Sequence, residues 1–179
     1  MSHLKLKGGL VENVEYEELS TSVLSMTFFD RLAQEGLIAP SGHVRQCMDE
    51  EYESKQVCDA LADMMVNPDS EHVDLYSSKE KREFIFALLK QCVIGGSMCQ
   101  PSDQAHEYLD TVKSLYKLLV KIHKSKTGGQ PKLQISSRVF QLQGQDLFPK
   151  DSPYKSCFLI VDAKLRLITI WYSPYVPFW

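Results

Sequence analysis

The chain has 179 residues, 44% hydrophobic and 24% charged, a composition typical of a globular domain that can fold without a metal ion or a disulfide framework. Residues 1–75 carry five lysines and arginines against fifteen acidic residues, whereas residues 76–179 carry fifteen against eight. The mixed signs argue against a general nucleic-acid binder. The unequal charge of the two halves has three interpretations: the halves attract each other within the fold, they present differently charged faces to partners, or the charges are ordinary solvated surface.

The first forty residues predict a strand followed by a helix. Segment 10–19 mixes Val, Tyr and Glu without helix caps, which indicates a short strand or extended segment. Four hydroxyl residues then offer N-caps for a helix: Ser20, Thr21, Ser22 and Ser25. The apolar face of that helix comprises Leu24, Phe28 and Leu32. Gly36 is placed to end the helix, and Pro40-Ser41-Gly42 predicts a turn.

The next fifty residues predict further helices. A short helix is expected at Val44–Met48, followed by the solvated run Asp49–Glu51. Ser54 can cap a longer helix that ends at Asn67-Pro68, with a buried stripe of Val57, Leu61, Met64 and Met65. Ser77 and Glu80 form a capping box for the clearest helix, which ends at Gly95-Gly96. Its apolar face comprises Phe84, Ile85, Leu88, Leu89, Cys92 and Val93.

A fourth long helix is predicted from Pro101 to the breaker Thr127-Gly128-Gly129. Its apolar residues recur at spacings of three and four: Ala105, Tyr108, Val112, Leu115, Leu119 and Ile122. Four lysines form a basic stripe on the opposite face: Lys113, Lys117, Lys121 and Lys124. This stripe is either a contact for an acidic or phosphate-bearing partner or a solvated polar face.

The last third of the chain predicts β-structure. Residues 132–142 alternate in period two, and residues 143–155 form a loop with two prolines. Segments 157–162 and 165–172 are rich in β-branched and aromatic residues and predict a β-hairpin joined by Ala-Lys. The sequence therefore predicts one α+β domain spanning residues 1–179, with about four N-terminal helices followed by a C-terminal antiparallel sheet.

No motif predicts catalysis, a cofactor or a metal ion. The five cysteines are odd in number and scattered, which favours reduced thiols. Cys92, Cys99 and His106 are spaced seven apart, but a Gly-Gly pair interrupts the helix that would align them. His43 and Cys47 could form a nucleophile pair, although no third member is evident, and a local hydrogen bond is the simpler interpretation. No segment matches a secretory signal, and no apolar run is long enough to span a bilayer.

The aromatic tail at residues 173–179 is the most unusual feature. Trp171 lies in the final strand and is expected to pack against the helical layer. Three more aromatic residues follow in the tail: Tyr175, Phe178 and Trp179. So much aromatic area requires burial, so these residues either fold back on the sheet or anchor a partner.

Several segments resemble the family of cilia- and flagella-associated protein 300. In order and spacing they cover most of residues 24–162, and the serine-rich FF and GG-x-x-CQ segments are distinctive. The segments are Leu24–Leu32 (LSMTFFDRL), Ser41–Asp49 (SGHVRQCMD), Arg82–Gln100 (REFIFALLKQCVIGGSMCQ), Tyr108–Val120 (YLDTVKSLYKLLV), Lys132–Phe140 (KLQISSRVF) and Phe158–Asp162 (FLIVD).

The resemblance implies a non-enzymatic factor of the cytoplasm and of the cilium or flagellum and its axoneme, needed for assembly and transport of outer and inner dynein arms. It implies a protein-binding adaptor that acts with other dynein arm assembly factors and with intraflagellar transport proteins. No nucleic acid, membrane, small-molecule substrate or cofactor is expected, and no catalytic residue carries over.

Other interpretations stay open beside this one. A stable structural component of the axoneme and an enzyme using Cys99 or Cys47 with a histidine are the alternatives. Family members have a longer N-terminal region, so residues 1–22 are interpreted as a remnant of it. The tail departs from the family's ending, so a role for it is not inherited.

Overall fold

The structure, a computed structural model, describes residues 5–6, 9–10, 13–52, 55–94, 103–127, 130–144, 147–149 and 154–174. The described strands are β1 (Lys5–Leu6), β2 (Gly9–Leu10), β3 (Glu15–Leu19), β4 (Gln46–Tyr52), β5 (Lys55–Asp59), β6 (Ile122–Thr127), β7 (Gln130–Ile135), β8 (Ser137–Gln143), β9 (Ser156–Asp162) and β10 (Leu167–Ser173). The described helices are α1 (Arg31–Gln34), α2 (Ala60–Val66), α3 (Ser78–Lys81), α4 (Phe84–Ile94) and α5 (Ala105–Leu119), with short 3-10 turns at Met26–Phe29 and Val73–Leu75. The fold is α+β, as the sequence predicts.

The main sheet joins the two ends of the chain. It has four antiparallel strands in the order β10-β9-β8-β3, so the N-terminal strand lies beside three C-terminal ones. A strand within segment 10–19 is thus confirmed. The predicted arrangement of helices first and one C-terminal sheet is wrong, because strands are interleaved with the helices and three separate strand pairs stand beside the main sheet.

The predicted helices between residues 44 and 66 are replaced in part by a hairpin. Strands β4 and β5 pair over the region assigned to the short helix and to the start of the long one. Only α2 remains helical, and its N-cap is Asp59 rather than Ser54: the carboxylate accepts from the N–H groups of Leu61 and Ala62, both at 2.9 Å. Val57 is buried from a strand instead of a helix.

The helix predicted after Ser20 is much shorter than expected. Ser25 caps a single 3-10 turn by accepting from the N–H of Thr27, and α1 has only four residues. Leu24, which was predicted to belong to the apolar face of this helix, is exposed, so that part of the prediction is wrong. Gly36 does end α1, with the left-handed φ of 78° that favours glycine.

The capping box of Ser77 and Glu80 is confirmed, but the helix it begins is divided in two. Glu83 separates α3 from α4 because the chain pairs with another segment at this point. The N–H of Phe84 donates to the carbonyl of Ser20 at 2.8 Å, and the Ser20 N–H donates to the carbonyl of Arg82 at 3.0 Å. The Glu83 carboxylate, buried here, accepts from the Ser20 hydroxyl at 2.7 Å. These bonds tie the end of β3 to the helical layer.

The main core lies between the sheet and the helices, with α4 at its centre. Almost all of the predicted face of α4 is buried, and the Phe84 ring meets the Phe158 ring of β9 at 5.3 Å. Trp171 is partly buried against this core, which confirms the prediction that it packs on the helical side. A second, smaller cluster on the other face of the sheet comprises Leu147, Phe148 and Cys157. In the described part of the chain, no helix has the length and apolarity needed to cross a membrane.

The loop of the C-terminal hairpin is longer than predicted. Leu167 pairs with Asp162, so four residues join β9 and β10 where an Ala-Lys connection was expected. The Asp162 carboxylate accepts from the N–H groups of Lys164 and Leu165 at 2.9 and 3.0 Å, and Arg166 adopts a left-handed φ of 51°. This local turn withdraws Leu165 from the strand.

Candidate protein-interaction surface

The predicted basic stripe is distributed over a helix and a strand. Lys113 and Lys117 lie exposed on α5, one turn apart. The helix ends at Leu119, so Lys121 and Lys124 do not continue it, and the prediction of one helical stripe is wrong. Lys124 is exposed on β6, whereas the Lys121 side chain turns back and donates to the carbonyl of Leu118 at 2.7 Å.

Strands β6 (Ile122–Thr127) and β7 (Gln130–Ile135) pair as a two-stranded ribbon, and we call these two strands the basic arm. Its base is fixed by hydrogen bonds: the N–H of Ser136 donates to the carbonyl of Lys121 at 3.1 Å, and the N–H of Lys121 donates to the hydroxyl of Ser137 at 2.9 Å. Strand β8 begins at Ser137, just after the arm, and pairs with β9 of the main sheet. The hydrogen bonds of Lys121 therefore hold the base of the arm next to that sheet.

Exposed aliphatic side chains accompany the lysines. Leu118 is 66% exposed, Leu133 47% and Ile122 43%. Lys124 is paired with Leu133 across the arm, and the alternation of a strand places Ile122 on the same face as this pair. The arm and the end of α5 therefore each expose ammonium groups and aliphatic side chains.

The charge of this region is of one sign. Residues 111–145 contain seven lysines and arginines and no aspartate or glutamate. The only arginine among them, Arg138, is paired across the main sheet with Glu18 at 2.7 and 2.8 Å. The absence of Asp and Glu from residues 111–145 could have been found in the sequence. The prediction of a four-lysine stripe identified only some of the cations in this region.

Ser136, His123 and Asp162 form a group that sequence reasoning missed. The Ser136 hydroxyl donates to the Asp162 carboxylate at 2.9 Å, and Nε2 of His123 lies 3.7 Å from that carboxylate. A serine nucleophile requires the imidazole as its base, but here the hydroxyl is bonded to the acid, so the order does not suit acyl transfer. The N–H of Leu165 and the other donors hold the pKa of Asp162 below its usual value, which is consistent with a structural carboxylate.

The proposed pair of His43 and Cys47 does not form a nucleophile and base. Nδ1 of His43 lies 3.0 Å from the Ser41 hydroxyl, and Nε2 lies 2.7 Å from the side-chain nitrogen of Gln104. Both ring nitrogens are therefore engaged at the turn. The contact with Ser41 is the local hydrogen bond that the simpler interpretation predicts, whereas Gln104 is 61 residues away in the chain.

The remaining cysteines give no reactive site among the described residues. Burial raises the pKa of the Cys92 and Cys157 thiols, the opposite of activation. No group of three or more His, Cys, Asp or Glu side chains in the described ranges could hold a metal ion. Cys99, the middle member of the spaced set with Cys92 and His106, lies outside the described residues.

Two grooves flank the helical layer, and their cations are largely engaged within the chain. One, of about 600 Å³, lies between β3 and α3. At its rim Arg82 meets Glu17 at 2.8 Å, and Arg138 meets Glu18. The other, of about 450 Å³, is lined by methionines of α2 and residues of α4. No described histidine or cysteine lines either groove.

The aromatic residues of the tail lie after the last described residue of the chain, Pro174. Tyr175, Phe178 and Trp179 lie outside the described residues, so their docking on the sheet stays a prediction. The strand before them, β10, is an edge of the main sheet and carries no charged residue, whereas the opposite edge β3 carries three glutamates. Charged residues on an edge discourage further strand pairing, and β10 lacks that protection.

The comparisons with known proteins point to a single family. The family model described as Cilia- and flagella-associated protein 300 matches residues 1–173. The chain is 34% identical over 181 residues to the protein of that name from Chlamydomonas reinhardtii, covering 96% of this chain and 70% of the relative. It is 26% identical over 171 residues to the protein of that name from Paramecium tetraurelia, covering 95% of this chain and 67% of the relative. No solved structure matches.

Proposed function

We propose, because the chain belongs to the family of cilia- and flagella-associated protein 300, that it is a non-enzymatic adaptor for the assembly and transport of outer and inner axonemal dynein arms. It acts in the cytoplasm and in the cilium or flagellum and its axoneme. Its partners are other dynein arm assembly factors and intraflagellar transport proteins. The family match over almost the whole chain is the observation that carries this proposal.

The arrangement of polar side chains supports a binding role over catalysis. In the described ranges, both ring nitrogens of His43 are engaged by Ser41 and Gln104, and the Ser136 hydroxyl donates to Asp162 instead of to the imidazole of His123. The family name is that of a cilia- and flagella-associated protein and not of an enzyme. Exposed lysines and aliphatic residues on α5 and the basic arm leave charged and apolar groups free to contact a partner.

A null strain of a ciliated cell tests the assembly function. We expect cilia of normal number and length that beat poorly, with outer and inner dynein arms missing in electron micrographs. Re-expression of the parent chain is expected to restore both. Normal arms in the null strain would show that the proposal is wrong.

Fractionation separates the adaptor from a stable component of the axoneme. An adaptor is expected in the soluble cytoplasmic pool and in the detergent-soluble fraction of isolated cilia. A structural component would remain with salt-extracted axonemes, as tubulin does. Retention of most of the chain there would favour the structural role.

A further inference from the structure

We propose that the basic arm and the C-terminal half of α5 bind an extended, glutamate-rich segment of a partner protein that presents glutamates and aliphatic residues on the same face. This inference rests on the proposed adaptor function and names the chemistry of one partner. The surface comprises Lys113, Lys117, Leu118, Ile122, Lys124 and Leu133.

The charge complementarity comes from lysines that the fold leaves unused. Among the described residues, no acidic group lies within ion-pair distance of Lys113, Lys117 or Lys124. Arginines elsewhere behave differently: Arg31 meets Glu80 and Arg82 meets Glu17, each at 2.8 Å. Residues 111–145 contain no carboxylate, and of their seven cations Arg138 already pairs with Glu18. A glutamate-rich partner would supply counter-charge for the exposed lysines.

The shape of the arm suits an extended peptide. A two-stranded sheet has two edges, and in the described part of the chain neither β6 nor β7 pairs with a third strand. A peptide that adds to one edge forms main-chain hydrogen bonds, while every second side chain reaches the face of the ribbon. Lysines on this edge discourage pairing with neutral or basic strands, but they attract a strand that carries glutamates. That face carries Lys124 beside Leu133 and Ile122, so glutamates meet the ammonium group and aliphatic residues meet the exposed side chains.

Nucleic acid and membrane fit this surface less well. Proteins that bind single-stranded nucleic acid stack bases on aromatic residues, and residues 117–139 contain no Phe, Tyr or Trp. Membrane-surface helices bury a wide apolar face, whereas here three separate aliphatic side chains lie between lysines. The combination is more suitable for an acidic peptide.

Fluorescence anisotropy with the purified full chain tests the inference. The probe is a labelled peptide in which pairs of glutamates alternate with pairs of leucines or valines, so that each face of its strand carries both residue types. Its control has glutamine in place of glutamate. We expect binding of the glutamate probe at low salt, weakened by added salt, and little binding of the glutamine probe. Lys117→Glu with Lys124→Glu is expected to weaken binding by about tenfold, because two attractions become two repulsions.

The matched control is Lys79→Glu with Lys164→Glu, two exposed lysines outside the surface that give the same change in net charge. It is expected to change the affinity by less than about threefold, since distant exposed charges are largely screened. Melting curves by circular dichroism establish that both double variants fold. Equal weakening by the two double variants, no binding at low salt, or tighter arm-dependent binding to single-stranded DNA or anionic vesicles would overturn the inference.

The cell experiment keeps this inference separate from the assembly function. If the parent chain rescues the null strain and Lys117→Glu with Lys124→Glu does not, both proposals stand. If the arm variant rescues as well as the parent, the inference that the arm binds an acidic partner in the cell is wrong, while the assembly function stands. If the null strain has normal arms, the assembly function fails whatever the peptide measurement shows.

Discussion

Asp162 shows how one carboxylate can organise three segments of a chain. It accepts from the Ser136 hydroxyl beyond the basic arm and from the N–H groups of Lys164 and Leu165 in its own turn. His123 of the arm lies 3.7 Å away. Each donor favours the charged carboxylate, so the pKa of Asp162 is lowered in the folded chain.

This lowered pKa predicts a pH-dependent contribution to stability. A carboxylate whose folded pKa lies below its unfolded value of about 3.9 stabilises the fold above that pH and loses the contribution as pH falls through the folded pKa. Asp162→Asn keeps an acceptor for the turn but removes the charge. We expect a lower melting temperature than the parent at pH 7 and a gap that closes below about pH 4. A gap that is constant from pH 7 to pH 3 would contradict this.

Residue-scale inference from sequence succeeds where the partner is local. The pairing of Ser77 with Glu80 and the left-handed turn at Gly36 follow from spacing within one helix end, and both are confirmed. Ser54 was a plausible cap by the same rule, but Asp59 caps α2 because the hairpin before it delays the start of the helix. The pairing of β4 with β5 decides which of the two residues caps α2, and a rule based on local spacing carries no information about that pairing.

At the scale of elements, the basic arm is anchored to the fold mainly at its base. Its two strands pair with each other, and among its described side chains Ile135 packs against the main core. An isolated two-stranded hairpin adds little stability of its own. The outer part of the arm is therefore expected to contribute to binding more than to folding.

Shortening the arm tests this expectation. Replacing residues 125–132 with Asn-Gly would join Lys124 to Leu133, which already face each other, through a two-residue hairpin turn. We expect the melting temperature to change by no more than about 2–4 °C, equivalent to about 1 kcal/mol in a domain of this size. Ile135→Ala removes a side chain that packs on the core and serves as the control with the larger loss. Loss of cooperative melting in the shortened chain would show that the outer arm stabilises the core.

Periodicity predicts an element best when one period dominates. The face of α4 is confirmed because apolar residues recur over three turns, whereas the run around Val57 fits either a helix or a strand. The lysine stripe illustrates the same limit at the site. All four lysines are near one another in the chain, but α5 ends at Leu119 because Val120 and Lys121 lead into a strand that pairs with residues beyond Gly129. The spacing of the lysines identified a positively charged region, but their distribution over α5 and β6 follows only from the fold.

At the scale of the whole molecule, the sheet separates two apolar regions of unequal size. The main core contains α4 and α5 on one face, and the smaller cluster covers Cys157 with Leu147 and Phe148 on the other. The Phe148 ring stacks on Tyr172 at 5.5 Å, and the Tyr172 hydroxyl donates to the carbonyl of Leu147 at 3.0 Å. Because Cys157 belongs to β9, the central sheet links both regions, and we expect them to unfold together.

Thiol labelling measures whether they do. In a Cys99→Ser background, which removes the cysteine outside the described residues, exposed Cys47 should react first with a disulfide reagent at pH 8. Cys157 should react only at the rate of opening, because it is buried and its pKa is raised, so the reactive thiolate is scarce. Cys47→Ser should remove the fast phase alone, and low denaturant should accelerate Cys157 in parallel with loss of the circular dichroism signal. Fast labelling of Cys157 while the helices remain intact would show that the smaller cluster opens independently of the main core.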